Sequence, residues 1–134
     1  MKAFVTPCLA LAAGVLSATL SGTCRGEGVS FARNIRPMLV QNCAACHQGA
    51  NAPAGLDLLP KVVHSNLVGV RSTQSSMLRV APSAPEQSYL MRKLQGAHLE
   101  AGGQGVAMPP GAPPLDPAQI GAIRQWIAGG ALND

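Results

Sequence analysis

The chain has 134 residues with 10 Lys and Arg against 6 Asp and Glu, a formal net charge of +4, and no internal repeat. That length leaves room for one domain with one small core, and basic residues scattered without interleaved aromatics give a nucleic-acid interface no support. Phe4, Phe31, Tyr89 and Trp126 are the only large aromatics, so side chains alone make a thin core, and a bound apolar body would help to complete it.

Residues 1–24, "MKAFVTPCLALAAGVLSATLSGTC", join a charge at Lys2 to an apolar run strongest from Leu9 to Leu20, followed by small residues. This is the pattern of a secretory signal peptide. The run is short and rich in Ala, Gly and Ser for the alternative, an uncleaved membrane anchor. The expected mature domain, 25–134, is exported, to the periplasm or cell surface if the source is bacterial. Cys24 has a second reading as a lipid-attachment cysteine, although "LSGT" places Leu20 one position early and Thr23 where a smaller residue is usual. With Cys8 and Cys24 assigned to the leader, the folded body keeps only Cys43 and Cys46.

Beyond the junction "RGEG", Phe31, Ile35 and Leu39 recur four apart and predict a helix, with Ser30 as a cap. Pro37 does not fit a helix interior, so the helix is expected to start or kink near Arg36 and run into the cysteines. "QGANAPAGLDLLP" is punctuated by Gly and Pro and reads as loop. Val63, Leu67 and Val70 mark a short helix, and "RSTQSSMLRVAPSA" an extended loop. In "SAPEQSYLMRKLQG", Ser83 and Glu86 have capping-box spacing, Pro85 falls in the first turn, Leu90 and Leu94 share a face and Gly96 is the stop. "AHLEAGGQGVAMPPGAPPL" has too much Gly and Pro for regular structure. Asp116 as N-cap, Pro117 in the first turn, Gln119 closing the box, the stripe of Ile120, Ile123 and Ile127 beside Trp126, and Gly129 as the end predict the last helix. No run alternates with period two long enough to make a strand. The predicted class is all-α, three to four helices with long loops.

Within this frame Cys43, Cys46 and His47 form the run "CAACH", the haem c attachment pattern. Residues three and four apart on a helix share a face, so two thiols and an imidazole point the same way. The thiols suit thioether bonds to the two vinyl groups of one haem, and the imidazole suits the iron. A zinc site needs four ligands and would have to recruit His64 or His98 at spacings unlike any finger. A thioredoxin-like pair would sit beside alternating strands and helices, which the pattern lacks.

For the second axial position the candidates are Met38, Met77, Met91, Met108, His64 and His98. A thioether would raise the reduction potential, a second imidazole would lower it, and an open site would admit ligands. Met38 precedes the attachment site on its own helix and cannot reach the other haem face, and Met91 falls inside a helix as packing. Met108, in "GVAMPPG", has prolines to stiffen its loop and glycines to let it pass close to a flat macrocycle. Met77 remains open as a ligand. So do His98 and His64, whose ordinary reading is a solvated surface histidine.

Taken together, "SFARNIRPML" leading into "CAACH", then "AGLDL", "VAPSAPEQSYLMRKL", "MPPGAPPL" and "IGAIRQWIAGGA" resemble a small class I c-type cytochrome domain. More narrowly, the chain is similar to the planctomycete-type cytochrome c-like domains from Phe31 to about Leu132. The resemblance implies a cytochrome c-like fold around one covalent haem c, thioethers at Cys43 and Cys46, His47 as proximal and Met108 as distal iron ligand, and the last helix, with Trp126, packed on the first. One departure is Pro82-Ser83, where those domains tend to carry Pro-Gly.

The expected function is transfer of single electrons between a donor and an acceptor redox protein, without enzymatic chemistry. The alternative is a haem-based sensor or ligand-binding module whose distal ligand is displaced. Arg71, Arg79, Arg92 and Lys93 read either as a docking patch for an acidic partner or as an ordinary solvated face.

Overall fold

Pro37 sets how the chain enters its first helix. In the computed structural model, which describes residues 28–134, the entry is a π-helical turn, Phe31–Ile35, followed by helix α1, Arg36–Cys43. The amides of Ile35 and Arg36 bond the carbonyls of Ser30 and Phe31, five residues back. Pro37 donates no hydrogen bond and its ring crowds the carbonyl of the preceding turn, and a wider turn accommodates both. Ser30 accepts the Arg33 amide and caps the start. Phe31, Ile35 and Leu39 all lie at 1% exposure or less, the single face that their spacing predicts. The leader over 1–24 and Cys24 lie outside the described residues.

Helix α2, Val63–Leu67, buries Val63 and Leu67. The run from Val68 to Val80 then doubles back, with the Gly69 amide on the Val80 carbonyl at 2.9 Å. Among the described residues only isolated β-bridges occur, and the architecture is helical without strands. No described helix is long and apolar enough to cross a membrane.

The next segment corrects the sequence reading. Pro85–Gln87 forms a 3-10 turn and helix α3 spans only Tyr89–Leu94. Ser83 has φ of +62°, in the left-handed region, whereas an N-cap residue is extended. It therefore caps nothing, and its amide bonds the Ile127 carbonyl at 2.9 Å. Glu86 pairs with Arg124 instead of closing a box. The buried hydroxyl of Ser88 ties this corner together, accepting from the Ala81 amide and donating to the Ala84 carbonyl. At the other end Gly96, φ +76°, stops α3 as predicted. The amides of Gly96 and Ala97 close back on the carbonyls of Lys93 and Arg92, a Schellman arrangement.

Helix α4, Pro117–Ala128, has the expected Asp116–Gln119 capping box and ends at Gly129. It buries Ile123, Trp126 and Ile127. The Trp126 ring lies 5.2 Å from Phe31 at centroids, and the Phe31 amide donates to Asp134 at 2.7 Å. Aromatic packing thus joins the first and last helices, and the Asp134 carboxylate ties the C-terminal residue to the start of the first turn. Met91, fully buried, joins this core as packing.

Candidate functional site

Where α1 ends, the backbone turns without leaving its face. The amides of Cys46 and His47 both bond the Cys43 carbonyl, at 3.2 and 2.9 Å. The side chains of Cys43, Cys46 and His47 accordingly line one wall of an apolar cleft. His47 is held twice by the segment that follows. Its carbonyl accepts the Leu58 amide at 2.9 Å, and its ring Nδ1 lies 3.2 Å from the Leu56 carbonyl. A carbonyl only accepts, so Nδ1 carries the proton and Nε2 keeps its lone pair free for a ligand. Leu56 and Leu58 themselves face the cleft. A metal-bound imidazole is ordinarily oriented by such a contact.

The cleft encloses a cavity of about 220 Å³ and is open at its mouth. Helix α3 supplies Tyr89, Leu90, Lys93 and Leu94, two pairs four apart on one face, and Leu67 adds to the floor. Met108, Pro109 and Pro110 enter from the loop between α3 and α4. Of the candidate iron ligands, the cleft brings together Cys43, Cys46, His47 and Met108. It leaves out Met38, Met77, Met91, His64 and His98.

Neither of the two remaining histidines is a fully exposed surface residue. His64 packs edge-on against Phe31, centroids 4.9 Å apart, and its Nε2 donates to the Ala131 carbonyl at 2.8 Å. His98 is buried, and its Nε2 donates to the Gly105 carbonyl at 3.0 Å. Among the described residues no three His, Cys, Asp or Glu side chains converge as around one ion. Cys43, Cys46 and His47 share the lining of the cleft.

The loop that carries Met108 is anchored to α3. The Met108 amide bonds the Lys93 carbonyl at 3.0 Å, and the Lys93 ammonium donates to the carbonyls of Gln104 and Val106. The Tyr89 hydroxyl accepts the Gln104 amide at 3.2 Å. At Gly103 a Cβ would lie 2.3 Å from the Tyr89 oxygen and 2.6 Å from the His98 carbonyl, so only glycine lets the chain pass there. The Met108–Pro109 peptide is cis.

Electrostatics separate the two thiols. Cys46 is exposed, while Cys43 is partly covered, and desolvation, helped by Cys46, pushes its thiol up to about 11. Arg79, on the cleft wall, donates to the carbonyls of Asn66, Ala54 and Gly55, and burial pulls its guanidinium below its usual value. Lys93 is 6% exposed. Arg71, Arg79, Arg92 and Lys93 therefore share no solvated face. Sequence reading missed the roles of Lys93, Tyr89 and the Leu56 carbonyl. The spacing of Tyr89 to Lys93 places both on one helix face, but nothing local says that this face is covered.

No family model, no curated protein and no solved structure matches the chain.

Proposed function

We propose that this protein is an exported mono-haem c-type cytochrome that carries single electrons between periplasmic or membrane-associated redox partners. One observation carries the reading: a single apolar cleft takes two thiols and an imidazole from the end of α1 and a thioether from a separate loop. The residues fit the group. Cys43 and Cys46 would hold it covalently, His47 would offer the lone pair of Nε2 to the iron, and Met108 would offer its sulfur. Bound there, the haem would supply one iron that gains or loses one electron.

The chain's own part is to hold these groups in place and to keep water out. Leu56 fixes the His47 ring, while Leu58, Leu67, Leu90 and Leu94 line the cleft with hydrocarbon. Held on separately anchored backbone, His47 and Met108 would offer their ligand atoms from fixed positions, which would suit fast electron transfer.

The test is export in a host with haem-attachment machinery, followed by optical spectra of wild type and Met108→Ala. The methionine-to-iron charge-transfer band is expected in the first and absent from the second. Its persistence in Met108→Ala would remove Met108 from the site and overturn the ligand assignment. Carbon monoxide is expected to leave the reduced wild-type spectrum unchanged, and rapid binding would favour a ligand-binding sensor over a carrier.

A further inference from the structure

The least explained group on the cleft wall is a cation. Lys93 is 6% exposed, and a lysine so covered is ordinarily paired with a carboxylate. Here the ammonium meets only the carbonyls of Gln104 and Val106 and lies 5.5 Å from the centre of the Tyr89 ring. None of the cleft-lining residues is acidic. The described carboxylates with assigned partners are engaged elsewhere: Asp57 on the Leu59 amide, Glu86 on Arg124, Asp116 on the Gln119 amide and Asp134 on the Phe31 amide.

The same residue meets the Met108 loop a third time, through its backbone carbonyl and the Met108 amide at 3.0 Å. The side chain thus holds the approach, at Gln104 and Val106, and the main chain holds Met108 itself. We propose that Lys93 is the positioning residue of the Met108 side of the cleft, stapling the loop that presents the thioether and, as a cation without a carboxylate partner among the described residues, raising the reduction potential of the iron held there. The second half rests on the cytochrome reading. When an acceptor-state iron takes one electron its charge falls by one, and a positive group in a poorly solvated wall favours the state of lower charge.

The test compares wild type, Lys93→Met and Lys93→Arg by two measurements on the exported full chain. Amide hydrogen exchange over residues 104–108 reads the staple whether or not haem is bound. Lys93→Met is expected to lose protection at Gln104 and Met108 by tenfold or more, and equal exchange in the two proteins overturns the proposal. Potentiometry reads the charge: Lys93→Met is expected to shift to lower potential with a weaker methionine-to-iron band, and Lys93→Arg to stay near wild type. An unchanged potential in Lys93→Met, or an equal drop in Lys93→Arg, overturns the charge effect. If Lys93→Met does not fold, Lys93→Gln takes its place with the same outcomes. A wild-type chain that takes up no haem ends the cytochrome reading, while the exchange experiment still decides the staple.

Discussion

Cys43, Cys46 and His47 reach the cleft within one turn of the end of α1, on hydrogen bonds that run only to the Cys43 carbonyl and to the next segment of chain. Met108 reaches it at the end of a glycine-rich loop whose anchors, Tyr89 and Lys93, belong to another helix. The first wall is local structure, with the order that short-range bonds give it. The second is tertiary structure, as stable as the polar contacts that fasten it and as easily altered by a residue far from the ligand. In the proposed cytochrome the first wall would govern attachment and the second would govern potential and ligand access.

The largest expected effect separates the walls outright. Replacing both Cys43 and Cys46 by Ser is expected to abolish haem that survives denaturing electrophoresis, whereas Met108→Ala is expected to retain all of it. Haem staining of the gel checks this, and covalent haem in the double variant would remove the first wall from the site.

Next comes the chemistry of the first wall itself. The thiolate is the nucleophile, and the Cys43 thiol is raised from 9.0 to about 11 by burial first and by Cys46 second. Below its pKa a thiol loses nucleophile tenfold per pH unit, so at pH 8 Cys43 in the folded, haem-free chain is expected to alkylate about 100-fold more slowly than in urea. Its rate should keep rising with pH to about 11 in the folded chain and level off near 9.0 in urea. Mass spectrometry of peptides from timed iodoacetamide labelling measures both. A folded profile that levels off near 9.0 would mean that the Cys43 side of the cleft is open to water.

Gly103→Ala addresses the second wall. The new methyl would meet the Tyr89 hydroxyl and, less forgivingly, the His98 backbone carbonyl at 2.6 Å. The expected cost is about 1–3 kcal/mol of stability, read by denaturant titration. Haem attachment should be intact and the methionine band reduced. Unaltered stability would show that the loop is not fastened as tightly as its bonds imply.

What could be read from residues alone follows the same division. The face of Phe31, Ile35 and Leu39, the box at Asp116 and Gln119 and the stop at Gly96 are consequences of helical period and of capping, and the shared direction of Cys43, Cys46 and His47 comes from the turn closed on the Cys43 carbonyl past the end of α1; all act within a turn or two of sequence. Met108 was legible by its prolines and glycines as a loop residue. Its neighbours on α3 were not. The burial of Lys93 and His98 depends on a long loop folding back over them, and nothing in "SYLMRKLQGAH" records that. The capping pattern at Ser83 failed for a related reason. The chain turns left-handed there to bring its amide to Ile127 on α4, a tertiary bond that overrode a local preference.

Ser83 gives the smallest effect and lies on the scaffold that both walls share. A non-glycine residue at φ +62° pays about 1 kcal/mol for the clash between its Cβ and the backbone, and glycine would remove it. Glycine also gains freedom in the unfolded chain, which returns about 0.5–1 kcal/mol of that gain. Ser83→Gly is therefore expected to stabilise by only a few tenths of a kcal/mol, about a degree or two in Tm for a domain of this size, with potential and spectrum unchanged. Calorimetry beside potentiometry checks both. A shift in potential would show that the corner between α3 and α4 transmits strain to the Met108 loop, and the second wall would then have to be extended back to Ser83.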